Sequence, residues 1–492
     1  MTLLPRRSRS TPERHVRKRH FSLAVALALA VAISAPSTAM AAPDNVTVPS
    51  VVGQQKSAAR VALQADGLKS ANKMVTSSLP AESVVATDPA AGTIVPAGTQ
   101  VLVYWSDGKG TSATSSPTPT SSPTPASSPT PTSSPAPAPT ASAGSAATKS
   151  GGYADTREGG VTGGGNAGPI TVRTASEMQA AIDRYDGASG LVIRYTGTFD
   201  FGSISDVCAQ WQKPAGTIVS IKGKSNVTIE GASGSAANFG LNVAGNSQNI
   251  IIRNMTIGLL PGSIDAIGIE GTSSGKPADI WVDHNTLFSA LVKCSGAGDL
   301  SFDGLLDVKR GAHDVTVSYN HIHDHTKVGL VGASDSDLST THLTFHHNYY
   351  ENVGARTPLQ RSGRAHVYNN LYSGVSTSGI NVRMGGYALI EGNHFENATN
   401  PVTSRDSPKV GYWELNGNNI TSPSDFATYG IKWGSCSGTC LKNATDWKTT
   451  AQFPEAIPYA YVLAKPGCVE QSLPAVAGAG KGLATLSCAP AQ

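Results

Sequence analysis

From residue 217 onward one hydropathy pattern recurs: a short run of β-branched and aliphatic residues that ends near an asparagine. The runs are Thr217–Ile221, Val227–Glu230, Ile250–Met255, Ile280–Asp283, Val315–Tyr319, Leu343–His347, Ala365–Asn369 and Ala388–Glu391. Asn254, Asn285, Asn320, Asn348, Asn370 and Asn393 punctuate most of them, at intervals of about 22 to 35 residues. Such recurrence predicts stacked coils, each burying its inward side chains only against the coils above and below. Asparagine suits the corners because it tolerates left-handed backbone and its amide can pair with the next coil. A parallel β-helix is expected; neither a hairpin rhythm for a sandwich nor a blade repeat for a propeller is present. Thr174-Ala175-Ser176-Glu177 is a capping box that opens an amphipathic helix through Met178, Ala181, Ile182 and Tyr185, placed to cap one end of the stack.

The first third of the chain reads differently. Residues 6–20 are dense in Arg, Lys and His, Phe21–Ile33 is apolar, and Ala39-Met40-Ala41 offers a small-residue cleavage site. An apolar run this short does not reach the ~20 residues needed to span a bilayer, so residues 1–41 are expected to be a signal peptide. Arg6-Arg7 lies too far from the apolar run to favour a twin-arginine route. In residues 46–106, Val48-Pro49-Ser50-Val51-Val52-Gly53 precedes a helical pattern over Ser57–Ala65, with Gly67 where a helix would be capped. A turn-rich stretch over Asp88–Thr99 then leads to the strand pattern Val101-Leu102-Val103-Tyr104-Trp105. This segment resembles a PASTA domain, a small α+β module of bacterial wall-associated proteins, which implies either a spacer or a wall-glycan ligand. Residues 107–150 repeat Ser-Ser-Pro-Thr-Pro and carry no charge between Lys109 and Lys149, so they form an extended linker. At ~3.1 Å per residue, about forty residues reach up to roughly 120 Å.

The formal net charge of +3 favours no class of partner, and the mature part has no basic run or motif for nucleic acid. No other stretch is long and apolar enough for a membrane anchor. Export makes the six cysteines candidates for disulfides, with fifteen connectivities if all pair. Proximity suggests Cys436–Cys440 and Cys468–Cys488; a zinc site at 436–440 would lack further His or Cys ligands.

Most of the candidate chemistry lies in or beside the longer insertions between runs, at 256–279, 286–312 and 322–341. Asp303 and Asp307 would stand about 13 Å apart on a straight strand, too far to share a cation with ligands at ~2.3–2.6 Å. They converge only if the chain turns between them, which Gly304 permits. Asp265, from the preceding coil, would add a third carboxylate. An oxygen-only set without His or Cys suits Ca²⁺ better than zinc. Lys327, Arg356 and Arg361 offer cationic groups suited to the carboxylates of an acidic sugar chain. Arg383 and Arg405 are read as ordinary ion-pairing residues.

In this order, Asp265, Trp281-Val282-Asp283-His284-Asn285, Asp303-Gly304, Asp307, Lys327 and Arg356-Thr357-Pro358-Leu359-Gln360-Arg361 resemble the pectate lyases over about residues 150–490. The resemblance implies an all-β, right-handed parallel β-helix over residues 151–492. It also implies secretion, Ca²⁺ as cofactor, and polygalacturonate or pectin as substrate, cleaved by β-elimination. It assigns Asp265, Asp303 and Asp307 to the metal, Arg356 to the role of base, and Lys327 and Arg361 to substrate, with Lys327 the fallback base. Where some relatives carry a further Asp, this chain has Ser263, so calcium is expected to arrive largely with substrate. A Cys208–Cys294 disulfide is implied as well, and a monomer is expected.

Pectin lyase, acting on methylated substrate without calcium, is disfavoured by the three acids. A polygalacturonase would use carboxylates and water instead. A non-catalytic wall-binding protein draws only on the PASTA-like segment. Two other groupings compete for attention: His321, His323 and His325, which as a strand would share one face with His346-His347 nearby, and Asp283-His284 with a serine. The first would be a zinc site and the second a hydrolase triad, the latter without a Gly-x-Ser-x-Gly elbow.

Overall fold

The computed structural model describes residues 45–109 and 149–488, apart from residues 55, 78, 90, 215, 298–300, 436–441 and 444. The expected leader, most of the expected linker and the expected Cys436–Cys440 pair lie outside the described residues. Two compact units result. No helix among the described residues is long and apolar enough to cross a membrane.

In the first unit, β1 (Asn45–Thr47), α1 (Lys56–Ala65), β2 (Lys69–Val75), β3 (Val84–Asp88), β4 (Ile94–Pro96) and β5 (Gln100–Ser106) surround one small core. Val101 and Val103 point inward from β5 by simple alternation, meeting Ala59 and Leu63 of α1. Gly67, at φ +73°, ends α1 in the left-handed turn for which glycine is suited, and the Leu68 amide donates back to Leu63. β5 pairs parallel with β2 and antiparallel with β3.

The second unit is a parallel β-helix of three sheets. The sheets have ten, nine and six strands, stacked in parallel except for the antiparallel Lys442–Asn443 at one edge, and from Leu191 on successive strands of the chain fall in different sheets. Seven of the eight predicted runs belong to the ten-stranded sheet, and the eighth, seen as Ile218–Lys222, opens the nine-stranded one. α2 (Ala175–Arg184) begins with the expected capping box, Thr174 answering Glu177, and buries Met178, Ala181 and Ile182 against the end of the stack.

The asparagine corner forms as an unbroken ladder. Each Nδ2 of Asn285, Asn320, Asn348, Asn370 and Asn393 donates to Oδ1 of the next asparagine, ending at Asn418, over 2.9–3.0 Å. Each of these Oδ1 atoms also accepts the backbone N–H of the asparagine before it. One expectation is corrected. The left-handed residue is the one before the asparagine: His284, Tyr319, His347 and Asn369 all have φ of 51–52°. Asn254 also sits one position early, in line with His284, so the ladder starts at Asn285, whose Oδ1 accepts the Met255 amide. Inside the coils, Tyr350, Tyr372 and Phe395 stack at 4.9 and 4.7 Å between ring centres.

A candidate active site on the nine-stranded sheet

The nine-stranded sheet carries the charged residues. Asp307 lies on the strand Leu306–Lys309, in register with Gly268 of the strand Ile267–Glu270. Its neighbour Lys309 is two residues on, on the same face, and its ammonium lies 3.1 Å from Asp307 and 2.8 Å from Asp265. Asp307 also accepts the Leu330 amide at 2.9 Å. Asp265 Oδ1, in contrast, is buried with no partner among the described residues.

Gly304 matters here for space. A Cβ at that position would stand 2.7 Å from Asp307 Oδ1 and 3.2 Å from Asp265 Oδ1, so no larger residue lets the two carboxylates approach. Asp303, just outside the strand, caps the Gly304 amide at 3.0 Å. Its charge reaches both other carboxylates and raises their pKa values further. Among the described residues no three acidic, His or Cys side chains converge closely enough to hold a metal ion. Two of the three expected acids therefore meet, and the third stands at the edge.

Burial drives Asp265 and Asp307 above the ordinary carboxylate range, Asp307 adding repulsion at Asp265 and Lys309 opposing the rise in both. Burial pulls the Lys309 ammonium the other way, but Asp307 and Asp265 outweigh it and hold its pKa above that of a free lysine. Lys309 was missed by sequence reasoning. The Asp307-x-Lys309 alternation on a strand was the available signal.

Arg356 follows the strand Tyr349–Ala355 and turns the corner with φ +68°, a backbone rare for a non-glycine residue. Burial lowers its pKa, Arg361 lowers it further, and Asp307 and Asp303 resist. Lys327 pairs in register with Ala355, one residue before Arg356, so both cations occupy the same corner of adjacent coils. Arg361 is tethered: Nε donates to Asp335 at 2.8 Å and a terminal nitrogen to the Gly332 carbonyl at 3.0 Å. Arg356 has no comparable tether among the described residues. Arg383 and Arg405 pair with Asp406 as expected, at 3.7 and 3.4 Å.

The competing groupings resolve into packing. Asp324, at φ +51°, breaks the alternation of the strand His321–Lys327, so the three histidines do not share a face. His321 and His323 stack on each other at 4.4 Å and on Tyr349 and Phe288, while His325 turns inward to Ser289. His346 and His347 bond to each other on the outer face of the ten-stranded sheet, where the Ser150 carbonyl also meets His346 at 2.7 Å. On the far face of the ten-stranded sheet, Ser318 donates to Asp283 at 2.6 Å and not to His284, whose Nε2 meets the Ala484 carbonyl at 2.9 Å. That trio fastens the C-terminal segment. The Cys208–Cys294 and Cys468–Cys488 bonds are both formed.

Both units have counterparts among known proteins. A pectate lyase family profile matches residues 138–482, and a PASTA domain profile matches residues 46–107. The chain is 43% identical over 350 residues to pectate lyase 1 of Pectobacterium carotovorum, covering 67% of this chain and 91% of that protein. Pectate lyase II of Xanthomonas campestris pv. campestris superposes with a TM-score of 0.64 at 55% identity, covering 68% of this chain and 99% of its own. Pectate lyase C of Erwinia chrysanthemi, solved at pH 9.5 with 30 mM Ca²⁺, gives 0.64 at 42% identity, covering 69% and 99%.

Proposed function

The chain belongs to the pectate lyase family, and from that premise we propose that it cleaves polygalacturonate by calcium-dependent β-elimination with Arg356 as the base. The observation that carries this reading is the untethered Arg356 guanidinium, set on a left-handed corner beside the buried carboxylates. The donor set is oxygen-only, and Asp265 Oδ1 is a buried carboxylate oxygen still lacking a partner; both fit a hard cation. Asp265, Asp303 and Asp307 would hold it. When bound, calcium would neutralise the substrate carboxylate next to C5 and so make the C5 proton more acidic.

The chain's own residues do the rest. Lys327, Lys309 and Arg361 form a cationic rim for the carboxylates of successive sugar units. Neutral Arg356 takes the C5 proton and becomes a guanidinium. The C5–H electron pair forms the C4–C5 double bond, and the C4–O4 bond breaks with the leaving oxygen protonated from water. A guanidine is a base only while neutral, and burial with Arg361 moves its pKa in that direction. The rate at saturating substrate is therefore expected to climb with pH, about tenfold per unit below the Arg356 pKa. Export through residues 1–41, and a wall-glycan contact made by residues 46–106, complete the reading.

The test is the ultraviolet absorbance of unsaturated ends released from polygalacturonate, followed across pH with calcium and with a chelator. Activity that climbs toward alkaline pH and vanishes in chelator is expected. Turnover retained in chelator would remove calcium from the account, and an acid optimum would remove the arginine base.

A further inference from the structure

The two loops that deliver Asp265 and Asp303 come from successive coils. Among the described residues no strand lies between Gly258 and Ile267, or between Phe288 and Leu306, and coil-to-coil backbone pairing resumes only beside the acids, where the Ala266 amide donates to the Gly304 carbonyl at 3.3 Å. The strand stacking that fixes the rest of each coil is therefore missing from the stretch of loop that leads to each acid and returns just past it. Ahead of that point both loops are fastened to one short external helix, α3 (Val207–Gln212).

On one side, Cys208 of α3 is disulfide-bonded to Cys294 in the loop leading to Asp303. The connection continues along that loop. The Cys294 amide donates to Ser301 Oγ at 2.9 Å, and Ser301 Oγ donates to the Val292 carbonyl at 2.7 Å, two residues short of Asp303. On the other side, α3 grips the loop leading to Asp265. Gln210, itself buried, donates to the Leu259 carbonyl at 2.9 Å, and the Gly262 amide donates to the Trp211 carbonyl at 3.1 Å. Lys213 donates to Gln210 Oε1 at 2.7 Å and fixes which way the amide faces. Just beyond α3, the Gly216 amide donates to the Pro261 carbonyl, and a Cβ at Gly216 would fall 2.7 Å from the Pro261 ring.

We infer that α3, locked by Cys208–Cys294, is a bracket that sets the spacing of Asp265 and Asp303 across two coils. Its residues would position the cation ligands without touching the cation. This rests on the calcium reading above. The physical need is plain. Carboxylates gathered in a partly desolvated corner repel one another, and strandless loops can relieve that repulsion by moving apart. Any relaxation must be reversed before oxygens can close on a cation at ~2.3–2.6 Å, so a tether that forbids it raises affinity. Partners outside the ligand shell that orient ligands are typically worth ~10–100-fold in metal affinity.

The experiment compares the full chain with Cys208→Ser/Cys294→Ser, Ser301→Ala and Gln210→Ala. Calcium binding is measured by calorimetry without substrate, beside the calcium needed for half-maximal lyase activity. The double variant is expected to raise both calcium constants about 10-fold or more, with kcat at saturating calcium within about three-fold of the parent. Ser301→Ala and Gln210→Ala, with the disulfide intact, should shift the calcium constants the same way by less. Cys468→Ser/Cys488→Ser is the control; it should lower the thermal midpoint and leave calcium binding unchanged. Unchanged calcium constants in the Cys208→Ser/Cys294→Ser protein would overturn the bracket. Should that variant not fold, unchanged constants in both single variants would overturn it equally. A parent protein that binds no calcium and turns over in chelator would refute the calcium reading itself, and the bracket with it.

Discussion

The asparagine corner and the charged corner are built from the same coils, yet they treat polar groups in opposite ways. At the first, every side-chain amide is answered: Asn370 Nδ2 donates to the Phe345 and Tyr368 carbonyls and to Asn393, while its Oδ1 accepts both nitrogens of Asn348. At the second, two buried carboxylates share one ammonium, one of their oxygens has no partner, and an arginine turns on a rare backbone conformation. A satisfied ladder lets a stacked fold hold, one corner away, an arrangement that would otherwise relax. Stability and the proposed chemistry are separated by a few residues along the coil.

That contrast can be broken from either side. The largest effect is expected from Asp307→Asn, which removes a charge from the proposed cation site. Lyase activity at fixed calcium should fall about 10³-fold or more, since a metal's charge stabilisation is worth several kcal/mol. The thermal midpoint should hold or rise, because burial disfavours the Asp307 charge and Asp265 remains to pair with Lys309. A large loss of stability would mean that the charged corner is structural after all. Asn370→Ala should do the reverse, costing about 3 kcal/mol of stability through unpaired buried groups while kcat is kept; denaturant unfolding beside a rate assay checks both. The smallest effect concerns acid. Burial pushes His346 down to about 3 and drives His347 well below an ordinary histidine. The unfolded chain thus binds protons near pH 6 that the folded chain refuses. Stability is fully present above ~6.5 and falls as pH drops toward 3, by up to about 1.4 kcal/mol per unit for each histidine. Urea unfolding at pH 7.5 and 5.5 measures it, and equal stability at the two would show that the histidines are reached by water. Framework and proposed base then both favour the neutral-to-alkaline side.

The same contrast explains what could be read from the chain. The ten-stranded sheet was legible because its strands alternate cleanly and run into the buried asparagines. The nine-stranded sheet was not. Its strands are two to five residues long and carry Asp307, Lys309, Arg361 and Arg383, which interrupt any apolar rhythm. Asp265, Asp303, Asp307, Lys327, Arg356 and Arg361 were identified through resemblance to relatives, since periodicity says nothing about which coils place their corners together. Lys309 escaped because a lysine on a short strand reads as solvent-facing until its two carboxylates are seen. The histidine alternation misled, since one left-handed residue, Asp324, turns His325 to the inside.

The most direct test of the base at the charged corner is Arg356→Lys, which keeps the positive charge and removes the guanidine. Oligogalacturonate binding should stay within about three-fold of the parent while the release of unsaturated ends drops ~10²–10⁴-fold at every pH. Release at the parent's rate, with the same pH profile, would contradict the account.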